Sequence, residues 1–250
     1  TPAPPVVCQV TDQASWQQAV QTSWKRDVVI NLEGTIPWTG SYWDFRLGRP
    51  GGTVDINGGE VDLSAYQSAW PAAYDNNGLV LTGRRATLRG VSVRGYEGTG
   101  SALRADVSDS LEVLDSRFAD IGTKVLGVRP DGTPGYTNAI GVHSRPRRVL
   151  VLGSTFEDCA RNDEQLAHVL YVGAWQSILI AGNRYTRCGS IWGANSPDTV
   201  ITGEYADAGA EARVWNRRTS SWQHPWLLVH NSGKLTFTGN AIAGTVDHVF

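Results

Sequence analysis

The chain has 250 residues, and 22 Lys and Arg against 24 Asp and Glu give it a formal net charge of -2. A general nucleic-acid-binding protein normally carries a clear basic excess, so this balance argues against that class. No apolar run reaches the roughly 18 residues that a membrane-spanning helix needs. Hydrophobic content of 41 % with 10 Trp excludes a disordered chain, and 28 Gly with only 18 % charged residues favour an all-β exported protein.

The N-terminal sequence and the cysteines indicate where the protein works. The chain begins Thr1-Pro2-Ala3-Pro4-Pro5 and contains no Met, which is typical of a mature chain after signal-peptide removal, or of a trimmed one. We therefore expect an extracellular or cell-envelope location. Cys8, Cys159 and Cys188 form no CxxC or Cys/His cluster, which argues against a structural zinc site. Their disulfide state stays open.

The first predicted element is a helix over residues 12–24. Its apolar side chains recur every fourth residue, as on one helix face: Trp16, Val20 and Trp24. Thr11 or Asp12 suits the N-cap. A strand over residues 27–36 follows, and a helix placed before it would cover the open edge of the first strand.

Beyond this point the chain repeats one pattern, in which an apolar residue lies two positions before a Gly or Asp turn. The seven markers of this pattern are Ile56, Leu88, Val113, Val151, Ile180, Ile201 and Phe237. Consecutive markers lie 32, 25, 38, 29, 21 and 36 residues apart. Short strands at this spacing are typical of a solenoid, whereas a sandwich would show hairpin turns every 8–12 residues. The sequence therefore predicts a single domain over residues 1–250, an all-β, right-handed parallel β-helix with the short N-terminal helix as its cap.

In such a fold equivalent residues of successive rungs stack into ladders. Polar side chains that share one turn position are expected to bond the neighbouring rung: Ser116, Ser154, Asn183 and Asn240. Two residues further on, an apolar ladder is expected inside the fold: Phe118, Phe156, Tyr185 and Ile242. Both ladders follow from the rung spacing of about 4.8 Å between neighbouring strands.

These residues carry a resemblance to a known superfamily. The helix followed by a strand ending in Gly34-Thr35-Ile36 resembles the start of right-handed parallel β-helix proteins, including the pectate-lyase-like superfamily. The stretch 167–175 is similar to a rung of bacterial members. The resemblance implies a polysaccharide or cell-surface glycan as partner. Calcium as a cofactor is implied by this resemblance only. The stretch 144–148 superficially resembles the Arg-Pro-Arg feature of pectate lyases, but their acidic calcium-ligand cluster is not recognisable, so no catalytic role is carried over.

Substrates of that superfamily usually lie in a groove along one stacked sheet, so outward-facing residues are the candidates. Period-two alternation predicts that Arg104, Tyr171 and Trp192 face outward in one column. Asp106 and His143 fall in the next column, and His168 precedes an inward position by two residues, which leaves its facing open. A lyase would use Tyr171, His143 or His168 as proton acceptor and Arg104 to neutralise a carboxylate.

The remaining candidates serve other roles. Trp192 offers an apolar face to a sugar. An inverting hydrolase would need two carboxylates, which Asp106 with Asp163 or Glu164 would supply. The Trp- and Arg-rich segment 211–226 is expected to form a hairpin-like excursion, as a surface for a glycan or protein partner or as a plug for the last rung. Two functions stay open: a polysaccharide lyase or glycoside hydrolase, and a non-catalytic cell-envelope, adhesion or assembly-subunit protein.

Overall fold

The computed structural model describes residues 3–38, 46–65, 77–124, 135–162, 167–208, 214–216, 221–223, 226–227, 233–244 and 248–249. The predicted helix is confirmed as α1 (Gln13–Ser23), with Asp12 as its N-cap. The Asp12 carboxylate accepts a hydrogen bond from the backbone N–H of Ser15 at 2.8 Å, and the Ser15 hydroxyl accepts one from the Asp12 N–H at 3.1 Å. This capping box satisfies donors that a helix start leaves open.

The buried face of α1 is made by Trp16, Ala19 and Val20. Trp16 packs edge-on against Trp38, with ring centroids 6.1 Å apart. Trp24, which was predicted to share this face, is 50 % exposed because the helix ends one residue earlier, and its indole Nε1 donates to the carbonyl of Arg46.

Nearly all described strands belong to two parallel sheets. The first sheet contains β1 (Val6–Val10), β2 (Val28–Leu32), β4 (Arg46–Leu47), β5 (Thr53–Asn57), β7 (Leu79–Arg89), β9 (Gly100–Leu114), β11 (Thr137–Val142), β12 (Arg148–Leu152), β14 (Leu170–Gly173), β15 (Ser177–Ala181), β17 (Trp192–Asn195), β18 (Asp198–Thr202) and β23 (Lys234–Thr238). The second sheet contains β3 (Thr35–Pro37), β6 (Glu60–Asp62), β8 (Ser92–Arg94), β10 (Arg117–Ile121), β13 (Thr155–Cys159), β16 (Arg184–Thr186), β19 (Tyr205–Ala208) and β24 (Ala241–Gly244).

The predicted repeat is confirmed by the strand register. Each marker residue is paired with the next one along the chain, from Ile56 with Leu88 through to Ile201 with Phe237. The long strand β9 serves two groups of partners, since its first half pairs with β11 and its second half with β12. We call β11, β14 and β17 the upstream strands, and β12, β15, β18 and β23 the downstream strands.

Each described passage from a downstream strand to the second sheet uses a turn of two residues, as at Gly182–Asn183 between β15 and β16. The first turn residue takes a left-handed backbone, which glycine adopts without steric cost. The second carries the predicted ladder: the backbone N–H of Ser116 donates to the Ser154 hydroxyl at 3.1 Å, and that of Ser154 to the Asn183 Oδ1 at 2.8 Å. Successive repeats are therefore joined by side chains as well as by strand pairing.

The predicted apolar ladder is confirmed in the core for its three aromatic members, whereas its fourth member, Ile242, is 37 % exposed. Phe156 is stacked between Phe118 and Tyr185, with ring centroids 5.2 and 5.1 Å away. The next member of the ladder is Ala206, which pairs with Ile242. Trp192 packs edge-on against Tyr185, with ring centroids 5.6 Å apart. This contact lies at the point where the small Ala206 follows Tyr185 in the ladder. Stacked rings of this kind contribute packing energy beyond their buried area.

Four further strands lie outside the two large sheets. The antiparallel pair β20 (Val214–Asn216) and β21 (Ser221–Gln223) agrees with the predicted hairpin-like excursion, whose Trp and Arg side chains lie outside the described part of the chain. The other pair, parallel, is β22 (Trp226–Leu227) with β25 (His248–Val249). Within the described residues no helix is long and apolar enough to cross a membrane.

Candidate functional site

The candidate site lies on the outward face of the upstream strands. Arg104, Gly141, Tyr171 and Gly193 are aligned there by the parallel register of β9, β11, β14 and β17. Glycine on the strand to either side of β14 leaves space around the Tyr171 side chain, which is 46 % exposed. The two glycines therefore leave room beside Tyr171 for neighbouring rings, while part of the tyrosine stays accessible to a ligand.

Two imidazole rings flank Tyr171. The ring of His143 lies 5.8 Å from the Tyr171 ring, centroid to centroid, and the ring of His168 lies 5.7 Å away. His143 is exposed and follows β11, whereas His168 is almost fully buried just before β14. The three side chains predicted to handle protons are therefore brought together, and the open question of the facing of His168 is answered by its contact with Tyr171.

His168 contacts residues of both strands that flank β14. Its backbone N–H donates to the Oδ1 of the buried Asn138 at 2.8 Å. The His168 ring lies over Gly193, beside the Tyr171 ring. A Cβ added to residue 193 would lie 3.1 Å from the Cδ2 atom of His168 and 3.1 Å from the Cδ2 atom of Tyr171. Gly193 thus provides the room in which both rings sit.

Arg145 supplies a positive charge on the same face. It is exposed, and its backbone is left-handed, with φ 48°. Its side chain crosses Gly173, since a Cβ there would lie 3.3 Å from the Arg145 Cγ. The preceding Ser144 anchors the turn by donating from its hydroxyl to the carbonyl of Val107 at 2.7 Å. Within the described residues Arg145 forms no ion pair.

These residues enclose a cleft of about 410 Å³, within the size range of small-ligand sites. Its walls are formed by Tyr136, Val142, His143, Arg145, His168, Tyr171, Val172, Gly173, Gly193, Ala194 and Asn195. The lining combines phenol, imidazole, guanidinium and amide groups with small apolar residues and glycines. Such a lining suits a polar ligand that carries a negative charge.

Arg104 and Asp106 lie on β9, at the edge of this face. The Arg104 Nε is 3.2 Å from the Asp106 carboxylate, and both side chains are largely shielded from water. The prediction that both face outward in adjacent columns agrees with this pair. Because their charges compensate each other, Arg104 is a weaker partner for a ligand carboxylate than Arg145.

The predicted outward facing of Trp192 is wrong. Strand pairing aligns Trp192 with Leu170, whereas the sequence alignment had matched Ile191 with Leu170. Since side chains alternate along a strand, this shift of one residue turns Trp192 into the core, where it is 1 % exposed, and turns Gly193 outward. A buried indole presents no face to a sugar in the cleft.

Asp163 and Glu164 lie outside the described residues. Sequence reasoning missed Arg145, Tyr136 and Asn195. The sequence analysis included Arg145 only in the stretch 144–148, to which it gave no catalytic role, and the one signal for it was its place two residues after His143. Within the described part of the chain, no group of three or more His, Cys, Asp or Glu side chains is arranged to hold a metal ion.

No protein-family model, curated protein or solved structure matches this chain.

Proposed function

We propose that the chain is a right-handed parallel β-helix. Parallel register from repeat to repeat in both sheets supports this, as do the two-residue turns that join them. A resemblance to the pectate-lyase-like superfamily is part of this proposal. A polysaccharide partner outside the cell follows from it, in an extracellular or cell-envelope location.

On this fold we propose that the protein cleaves an anionic polysaccharide by β-elimination in the cleft. The observation that carries the proposal is the half-exposed Tyr171 next to the imidazoles of His143 and His168, in the same cleft as the guanidinium of Arg145, which forms no ion pair among the described residues. A uronic-acid unit presents the two features that such a group of residues addresses, a carboxylate and an acidic proton beside it.

Each cleft residue has a role in this reaction. Arg145 binds the carboxylate and, with the Asn195 amide, stabilises the charge that develops when the adjacent carbon loses its proton. A neutral imidazole, His143, takes that proton. The electron pair forms the carbon–carbon double bond, the bond to the glycosidic oxygen breaks, and the Tyr171 hydroxyl gives its proton to the leaving oxygen. His168 contacts the Tyr171 ring and holds it in position.

The test is a screen of the purified protein against uronate-containing and neutral polysaccharides. Unsaturated products, detected by their ultraviolet absorbance, are expected with uronate polymers and not with neutral ones. Tyr171→Phe is expected to lower turnover by about 10²-fold or more, because it removes only the hydroxyl that donates the proton. The matched control is Tyr205→Phe, an exposed tyrosine on the second sheet that stacks under Arg184.

Other results would redirect the proposal. New reducing ends without unsaturated products would favour a hydrolase, and Asp163 and Glu164 would then be the residues to test. Binding without turnover would favour the adhesion or assembly-subunit alternative. Equal turnover in Tyr171→Phe and Tyr205→Phe would remove Tyr171 from the mechanism.

A further inference from the structure

The downstream strands carry an apolar surface on their outward side. Leu150, Leu179 and Val200 are aligned in one outward column of β12, β15 and β18, and all three are half-buried. The next outward column contains Leu114, Leu152 and Ala181, also half-buried. We call these six residues the leucine face.

The leucine face is confined to the middle repeats. In the first column the preceding repeats have Thr87 and Glu112, and the following repeat has Thr236. The inward residues of the same strands, such as Val151 and Ile180, already fill the core. The outward leucines therefore contribute nothing to the interior, and an apolar patch rimmed by polar residues is typical of a protein interaction surface.

Charges of opposite sign lie along one edge of the leucine face. Arg148, Ser177 and Asp198 form the outward column that begins the three strands. Arg148 and Asp198 are both exposed. Since they are two strands apart, about 10 Å, they are too distant to pair with each other. Neither forms an ion pair within the described part of the chain.

We propose that the leucine face binds the leucine face of a second copy of this chain around a two-fold axis parallel to β15. The axis lies between the facing sheets of the two copies. It preserves the direction of the strands and reverses the order of the repeats. In the first column Leu179 of one copy then meets Leu179 of the other, and Leu150 meets Val200. In the second column Ala181 meets Ala181, and Leu152 meets Thr202. Packing of two sheets face to face, about 10 Å apart, is a common way to bury such surfaces.

The edge charges favour this partner over an unrelated protein. The same axis brings Arg148 of one copy opposite Asp198 of the other, and the reverse pair forms by symmetry. Lys234, in the column of Arg148 and Asp198, then lies opposite the uncharged Ser110 of the second copy and adds no like-charge contact. A surface whose charges are complementary to themselves is what a two-fold interface requires.

Charge reversal tests this arrangement. Analytical ultracentrifugation of the purified chain is expected to show a dimer. Arg148→Asp and Asp198→Arg, each alone, place like charges opposite each other twice and are expected to raise the dimer dissociation constant by at least about tenfold. The double variant R148D/D198R restores opposite charges and is expected to dimerise within a few-fold of the wild type. Leu179→Lys is expected to be monomeric.

The controls separate this interface from general effects. Arg84→Asp reverses an exposed charge on β7, outside the leucine face, and is expected to leave the dimer intact. A monomeric wild type would overturn the proposal, since the leucine face would then be covered by the chain itself or left bare. Failure of the double variant to recover the dimer would also overturn it. The charge variants alter exposed side chains, so they keep the test valid if Leu179→Lys does not fold.

Discussion

The hydroxyl of Tyr185 donates a 2.6 Å hydrogen bond to the carboxylate of Glu204 inside the core. The backbone N–H of Asn183 donates to the same carboxylate at 2.9 Å, and the Trp192 indole donates to the Tyr185 hydroxyl at 3.2 Å. Glu204 is 2 % exposed and forms no ion pair among the described residues. Burial raises the pKa of Glu204, and burial followed by the Glu204 charge raises the pKa of Tyr185.

Glu204 is expected to make stability depend on pH. Because its pKa is higher in the folded than in the unfolded chain, the native state holds the extra proton, and the free energy of unfolding falls as pH rises from about 4.5 through the folded pKa. Glu204→Gln cannot ionise. The difference in unfolding free energy, wild type minus variant, should therefore decrease over this interval, by at most about 1.4 kcal/mol per pH unit.

Denaturant unfolding at a series of pH values measures this difference. Glu33→Gln is the matched control, since it makes the same chemical change at an exposed turn. A wild-type-minus-Glu204→Gln difference that increases with pH would contradict the expected sign.

Phe156 is expected to be the most costly member of the aromatic ladder to truncate. Phe156→Ala removes a ring that is 1 % exposed and contacts rings on both sides, so we expect a loss of about 3–5 kcal/mol. Phe237→Ala, the control, removes a ring that is 39 % exposed and should cost less. Denaturant titration compares the two variants, and equal losses would contradict the larger cost expected for the buried, stacked ring.

Gly193→Ala is expected to disturb the cleft without touching its reactive atoms. The added Cβ would meet the His168 and Tyr171 rings at 3.1 Å each, so at least one ring must shift. If the proposed lyase activity is present, kcat/KM should fall by at least about tenfold, because reactive groups tolerate little displacement. Thermal unfolding of the same sample shows whether the fold is kept. Wild-type turnover in a folded variant would mean that the ring positions do not matter.

The three cysteines are expected to differ in reactivity. Burial and the neighbouring Cys188 thiol raise the pKa of Cys159 far above its ordinary value, and both of these side chains are buried. Burial also raises the pKa of Cys8, but Cys8 is only half-buried. Iodoacetamide should therefore modify Cys8 first in the native protein, and all three only after unfolding. Mass spectrometry counts the adducts, and a single adduct after unfolding without reductant would indicate a Cys159–Cys188 disulfide.

The repeat was predictable because each marker residue lies at a fixed distance from a turn of fixed length. The marker residues and the polar ladder through Ser116, Ser154 and Asn183 are visible in the sequence for this reason. Glu204 was not recognised as a ladder member, although it occupies the same turn position and its N–H donates to Asn240 at 2.9 Å. A glutamate is ordinarily expected in water, and only the contacts from Asn183 and Tyr185 explain its burial.

The candidate site was predictable only in part. Period-two alternation was sufficient for Tyr171 and His143, whose strands were aligned correctly. It failed for Trp192, because the alignment of β17 was wrong by one residue and two adjacent apolar residues, Ile191 and Trp192, gave no means of choosing between them. Arg145 depends on a left-handed turn that directs its side chain back across Gly173, and no strand pattern contains that information.

The two kinds of connection in this chain have different consequences for its evolution. Turns into the second sheet are fixed at two residues, whereas returns to the first sheet differ in length, with five residues after Arg94, fifteen after Ile121 and sixteen after Asp62. Tyr136 and His168 lie at the ends of two such returns, just before β11 and β14, and line the cleft. Insertions there would alter ligand selectivity while leaving the stacked strands in register. The return loops are therefore where related chains would diverge, and where a library of loop variants should be made to change what the cleft admits.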